Sequence, residues 1–241
     1  MRRAAVPAVL KLLKPESDEE NAAALLRYYD GRGAVRLLES DDGAQLLERA
    51  AGPRSLVAMA LSGEDAQAAE VLADIVAELH ADRGHAAPDG LTPLSERFRS
   101  LFERETHSAL LSRCAAVARR LLASEGEPVP LHGDLHHGNV LDGGPRGWLA
   151  IDPKALIGER TYELANLLRN PAPHGALVHD QQRMDRLAAF YAGRLGLEPQ
   201  RVLDFGFAHA GLSASWDLED GLDPSYSLRC AELLSALADG P

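Results

Sequence analysis

Residues 131–141 read LHGDLHHGNVL, and the meaning of those eleven letters decides the fold of this chain. His132, Asp134, His136 and His137 stand within six residues, and Asn139 follows two later. A little further on, WLAIDPK at residues 148–154 sets a second aspartate, Asp152, behind an apolar run. GWLAIDP and the quoted stretch read as two short strands around a Gly-rich turn, Gly143-Gly144-Pro145. Such a hairpin gathers its polar residues at one mouth.

Three chemistries compete for the cluster. Imidazole and carboxylate together suit zinc or iron, as in a binuclear hydrolase. That centre needs further ligands at later strand ends, and His174, His179 and His209 lie in loop or helix contexts without matching spacing. A plain polar loop is the second reading. It must also account for Asp134, Asn139 and Asp152 at the edges of apolar strands, where unpartnered charges and amides are costly. Phosphoryl transfer is the third. An acceptor hydroxyl needs a carboxylate to orient it and take its proton, and a nucleotide's Mg²⁺ needs oxygen ligands such as a carboxylate and an amide carbonyl. Asp134 supplies the base, Asn139 the amide five residues on, and Asp152 the carboxylate thirteen further. Lys11, in the middle of an expected first strand, can meet the phosphates, with Glu20, or next Glu19, on the following helix to hold it.

Outward from that centre the chain falls into two characters. AVPAVLKLL (5–13) reads as a strand. SDEENAAALLRYYDG reads as a helix with Ser17 as N-cap, acids in its first turn and Gly31 beyond its end. AVRLLES and AQLLERA, separated by DDG, read as a hairpin. After Gly52-Pro53 the apolar residues recur at three and four spacing through DAQAAEVLADIVAELHADRG and SERFRSLFERETHSALLSRCAAVARRLLASEG, which predicts amphipathic helices. From RTYELANLLRNP to AELLSALA the pattern is again mostly helical. The expected organisation is a strand-rich part over residues 1–51 and a larger helical part over 52–241.

Composition narrows the class. The 241 residues are 46% hydrophobic and 25% charged, ordinary for a globular protein with a real core. A net charge of −11 argues against a surface that grips nucleic acid, and leaves room for a cationic small molecule. Cys114 and Cys230 suggest no disulfide framework or thiolate zinc site, only buried thiols in a reducing cytoplasm. No apolar run approaches the roughly 18 residues of a membrane span. The opening MRRAAVPAVLKLLKP is broken by Lys11 and Lys14 and has no cleavage-like site, so it does not read as a signal peptide. Oligomeric state leaves no trace in these patterns.

HGDLHHGN resembles the catalytic loop of kinase-like phosphotransferases, and its five-then-thirteen spacing to Asp152 is similar to that of protein kinases. His-Gly-Asp in place of His-Arg-Asp, and Ile-Asp-Pro in place of Asp-Phe-Gly, point to the small-molecule branch. GRGAVRLLE, LLERA, GWLAIDPKALIGERTYELANLLRNP and GLSASWDLEDG extend the resemblance to the streptomycin 6-phosphotransferase and hydroxyurea phosphotransferase group, over nearly the whole chain. The resemblance implies an α+β, protein-kinase-like bilobal fold with a truncated strand-rich N-lobe. It implies an ATP- and Mg²⁺-dependent transfer to a hydroxyl of a small molecule, most of all an aminoglycoside of streptomycin type.

By the same resemblance Asp134 is the catalytic base, Asn139 and Asp152 bind Mg²⁺, and Lys11, paired with Glu20, contacts the phosphates. Backbone from Glu48 to Ala50 meets adenine, with the Glu48 side chain facing solvent. His132 supports the loop by hydrogen bonds. His136 and His137 are expected to be solvated imidazoles, with one of them lining the site as the alternative, Lys154 a phosphate contact or a structural ion pair, and Trp148 a core residue rather than a ligand platform. A guanidinium-bearing acceptor wants carboxylates, and Asp217, Glu219, Asp220, Asp223, Glu159 and Glu163 are the candidates; hydroxyurea, small and neutral, would not need them. Kinase-like enzymes place two strands and a Gly-rich phosphate loop before the lysine strand, whereas ten residues precede Lys11 here. The expectation is therefore a start codon set downstream of the true one, or a working but abbreviated N-lobe. In the second case the sheet has a bare edge and the triphosphate is less well positioned, as in a kinase-like binding protein with little or no transfer.

Overall fold

A computed structural model describes residues 2–3, 6–13, 21–41 and 43–238. Its strands are β1 (Arg2–Arg3), β2 (Val6–Leu12), β3 (Leu37–Asp41), β4 (Ala44–Glu48), β5 (Thr92–Pro93), β6 (Pro128–Leu131), β7 (Val140–Asp142), β8 (Trp148–Ala150) and β9 (Leu156–Glu159). The helices are α1 (Ala22–Tyr29), α2 (Leu56–Leu61), α3 (Asp65–Leu79), α4 (Leu94–Arg97), α5 (Arg99–Arg104), α6 (Ala109–Ala123), α7 (Tyr162–Leu168), α8 (Gly175–Val178), α9 (Gln181–Leu195), α10 (Pro199–Glu219) and α11 (Ser225–Ala238). Packing divides the chain into two units, Met1–Leu91 with Val129–Ile157, and Thr92–Pro128 with Gly158–Pro241. The boundary expected at residues 51 and 52 follows composition. Packing instead groups α2, α3 and the β7–β8 hairpin with the strand-rich residues.

In the first unit four antiparallel strands lie in the order β1-β2-β4-β3. The expected strand, helix and hairpin are all present, and β1, two residues long, was not foreseen. Lys11 pairs with Gln45 across the β2–β4 ladder, which fixes which face its side chain takes. Helix α1 buries Ala22, Leu25, Leu26 and Tyr29 on one stripe. It ends where Asp30 turns left-handed (φ 47°) and its N–H donates to the Leu26 and Arg27 carbonyls, with Gly31 (φ 76°) next. Ser17 and Glu20, expected at the start of this helix, lie outside the described residues. Hairpin β7–β8 pairs Val140 with Ala150 and Asp142 with Trp148, and the N–H of Val35 donates to the Ala150 carbonyl at 3.0 Å.

The second unit is helical and centres on α10, which packs against α5, α6, α7, α9 and α11. Pro199 opens α10 at a position where its missing N–H costs nothing. Helix α9 is capped by Asp180, whose carboxylate accepts from the N–H groups of Gln182 and Arg183, and it stops at left-handed Gly196. The long helical run expected over residues 95–126 is broken into α4, α5, a short 3-10 turn and α6. The break falls at Ser108, extended in backbone, whose hydroxyl accepts from the Leu111 N–H and starts α6 afresh. Among the described residues no helix is long and apolar enough to cross a membrane.

Candidate active site

The loop between β6 and β7 is shaped by a glycine and braced by a histidine. Gly133 has φ 81°, and a Cβ there would fall 2.6 Å from the Leu156 side chain, so no larger residue passes without displacement. His132 is wholly buried. Its Nδ1 accepts from the Asp134 N–H at 3.3 Å, which leaves the proton on Nε2 to donate to the Ile151 carbonyl at 2.8 Å. Two backbone bonds repeat the link: Lys154 N–H to the His132 carbonyl at 2.7 Å, and Ile151 N–H to the Asn139 carbonyl at 2.9 Å. The stretch carrying Asp134 and the stretch carrying Asp152 are thus stitched together by directional bonds.

Within the loop, Asn139 Nδ2 donates to the Asp134 carbonyl at 2.9 Å and to its carboxylate Oδ2 at 3.3 Å. The donating half of the amide is turned to Asp134, which presents the carbonyl oxygen as the half able to ligate a cation. Asp152 adopts a left-handed backbone (φ 58°), and its Oδ1 lies 3.0 Å from Lys11 Nζ. Both side chains remain accessible, at 19% for Lys11 and 39% for Asp152. Lysine, two aspartates and an amide are all within the first unit.

Beside them lies a cleft of about 300 Å³. Val9, Val35, Leu47, Leu141 and Ile151 give it apolar walls, Glu48 and Ala50 contribute a stretch of chain, and Lys11 and Asp152 make its polar end. Apolar walls with a few convergent polar groups suit a flat aromatic ring carrying charge at one side. Val9 and Lys11 reach it from one face of β2, an i, i+2 relation visible in the sequence. The part played by Leu141 and Ile151 was not foreseen.

Several expectations need correction. The Glu48 side chain does not face solvent: it is 15% exposed, accepts from the Arg36 N–H at 3.1 Å and is paired with Arg146. His137 is buried rather than solvated, sitting between buried Leu135 and Val140. His136 is half-buried, and its Nδ1 accepts from the Gly138 N–H at 3.0 Å. Trp148 is not a core residue but a half-exposed platform under the Arg54 guanidinium, 4.8 Å from the ring centre. Among the described residues no three His, Cys, Asp or Glu side chains are grouped to hold a metal ion.

The acids expected to meet a cationic acceptor all lie in the second unit. Glu159 is buried and bound by Arg201 through two guanidinium nitrogens, so it is spent on structure. Burial is the largest single influence and would raise its pKa, but the Arg201 bond and charge, together with hydrogen bonds from Thr161 and the Gly126 N–H, hold it below the usual range. Glu163 is buried in the first turn of α7. Asp217 accepts from the Ser227 hydroxyl at 2.8 Å, and Glu219, half-exposed, from the Ser100 hydroxyl at 2.9 Å. Asp220 is exposed at the end of α10, and Asp223 accepts from the Ser225 N–H at the start of α11.

The Lys11–Asp152 pair stands at the polar end of an apolar cleft, and the loop that carries Asp134 and Asn139 is bonded to the chain just before Asp152. The molecule is a phosphotransferase of the kinase-like fold. Residues 1–221 match the aminoglycoside/hydroxyurea antibiotic resistance kinase family, and the chain belongs to it. It is 45% identical to a streptomycin 3''-kinase of Klebsiella pneumoniae over 92% of this chain and 84% of that one. A hydroxyurea phosphotransferase of Kitasatospora aureofaciens is 37% identical over 94% of this chain and 67% of that one. The fold is shared with an aminoglycoside phosphotransferase of Streptomyces rimosus solved with ADP and streptomycin. That match has a TM-score of 0.59 and 20% identity, and covers 85% of this chain and 86% of that one.

Proposed function

We propose that this kinase transfers the γ-phosphoryl group of ATP to a hydroxyl of an aminoglycoside of streptomycin type, with Mg²⁺ as the accompanying ion. The bridge from Asn139 Nδ2 to Asp134 carries the reading: a carboxylate suited to activate an acceptor hydroxyl is joined to an amide whose carbonyl is left for a hard cation. The 45% identity to a streptomycin kinase supports the choice of acceptor.

Asp134 accepts a hydrogen bond from the acceptor hydroxyl and takes its proton as that oxygen bonds to phosphorus and ADP departs. Asn139 and Asp152 would hold Mg²⁺, which when bound offsets the charge of the phosphates. Lys11, already beside Asp152, meets the phosphates, and backbone from Glu48 to Ala50 meets adenine. His132 holds the loop in register without touching substrate. On this reading residues 1–51 form the nucleotide-covering lobe and 52–241 the lobe that supplies the reacting groups. Asp217 and Glu219 are the carboxylates left to meet a cationic acceptor.

Incubation with ATP, Mg²⁺ and streptomycin should give an acceptor heavier by one phosphoryl group in a mass spectrum. Asp134→Ala should lower turnover by about a thousandfold. Turnover that survives the change removes Asp134 from its role. Hydroxyurea is the second reading, favoured because Glu159, Asp217 and Glu219 each already have a donor. Product with hydroxyurea and none with streptomycin would select it.

A further inference from the structure

Two oppositely directed ion pairs fasten one stretch of chain to one hairpin turn. At one end Arg146, in the turn between β7 and β8, donates to the Glu48 carboxylate and to the Gly31 carbonyl. At the other end Asp142, where the same turn begins, accepts from Arg54 Nε at 2.8 Å, Arg54 Nη2 at 3.1 Å and the Arg54 N–H at 3.2 Å. The Gly144 N–H adds a further bond to Asp142 at 2.9 Å. The Arg54 hydrogen bonds hold the Asp142 carboxyl well below the usual carboxylate range. The guanidinium also lies over Trp148, the cross-strand partner of Asp142.

The stretch between the two pairs lies flat on the turn. The Gly52 N–H donates to the Asp142 carbonyl at 2.7 Å, and a Cβ on Gly52 would stand 2.2 Å from the Asp142 carboxyl carbon. Only glycine permits that approach. Glu48 and Ala50 line the same cleft as Ile151 and Asp152, and Ile151 directly follows the hairpin. One turn therefore sets where both sides of the cleft stand.

We propose that this double clasp is a positioning device for the nucleotide, with Arg54, Asp142 and Arg146 as positioning residues that touch no reacting atom. The proposal rests on the reading of the cleft as the nucleotide site. Arg54 is 56% exposed but Asp142 only 2%, so removal of the guanidinium leaves a buried carboxylate short of its partner and lowers stability as well. The positioning role is read as a loss confined to the nucleotide, at a temperature where the variant stays folded.

The test is ADP binding by calorimetry, with KM for ATP and for the acceptor measured alongside. Arg54→Gln and Arg146→Gln should each weaken ADP binding and raise the ATP KM about tenfold, since small misplacements are costly in such sites. The acceptor KM, measured below the variants' Tm, should stay near that of the parent. Arg54→Lys, which keeps the charge and loses the fork, should fall between. Unchanged ADP affinity in both glutamine variants overturns the proposal. So does a parallel rise in both KM values, which marks a merely structural pair. ADP binding needs no turnover, so a protein that phosphorylates neither streptomycin nor hydroxyurea still reports on the clasp. A parent protein that binds no ADP would remove the cleft reading and the clasp's role with it.

Discussion

Helix α10 and the loop that carries Asp134 are both largely buried within their units, and they are held by opposite means. The buried positions of α10 are mainly Ala, Gly, Ser, Leu and Phe, and its glycines admit neighbours at very close range. A Cβ on Gly211 would come within 2.4 Å of Cys114 Cβ, and one on Gly206 within 2.7 Å of Leu168. The loop instead depends on bonds with direction, from His132 to the Ile151 carbonyl, from the Asp134 N–H to His132, and from Asn139 to Asp134. Close packing sets volume and adds stability, while hydrogen bonds fix angles. Transfer of a phosphoryl group needs angles. Damage to the two regions should therefore register in different measurements.

The sharpest separation comes from His132→Ala. It leaves the Asp134 N–H and the Ile151 carbonyl without their side-chain partner, and kcat should fall about a hundredfold at saturating ATP and acceptor. A folded variant with the parent kcat would end the bracing role. Gly211→Val should do the reverse. Forcing two methyl groups against Cys114 should lower the unfolding free energy in urea by roughly 1–3 kcal/mol, with kcat at low temperature little changed. A large loss of kcat there would mean that packing and alignment are not separable.

The smallest effect sits inside α10 itself. Burial first, then the charges of Arg169 and Arg97, keep His209 neutral far below its ordinary pKa of 6.5. In the unfolded chain the imidazole takes a proton near pH 6.5. The folded state keeps its full advantage above that pH and loses it as pH falls. Urea unfolding between about pH 7 and 5.5 should show His209→Phe losing less stability than the parent, by at most about 1.4 kcal/mol per pH unit. Equal slopes would place a protonatable His209 in the folded helix.

Much of this was legible beforehand, for identifiable reasons. A short apolar run marked β2, the DDG turn marked the β3–β4 hairpin, and three–four spacing marked α3 and α6. The intervals from Asp134 to Asn139 and Asp152 named the loop because backbone geometry ties such groups to short, fixed separations. What escaped was long in sequence and written in charges. Arg54 meets Asp142 across 88 positions, and Arg146 meets Glu48 across 98. Glu159 finds Arg201 across 42. A charged residue in a loop looks like a solvated one until its partner is known. The break at Ser108 was readable as a cap, but the apolar period runs straight through it and masks it.

Asp152 at φ 58° and Ala155 at φ 52° put two left-handed residues bearing a Cβ into one short turn. Each is held against its preference at a cost of roughly 1–2 kcal/mol, somewhat less for aspartate. A lineage released from phosphoryl transfer would find an easy descent here, because glycine at either position relaxes the backbone. Glycine at 155 would leave the carboxylate in place, and glycine at 152 would discard it. On the proposed reading, in which Asp152 would hold Mg²⁺, the residue at 152 thus offers a way to tell working copies from decayed ones, even where HGDLHHGN survives unchanged.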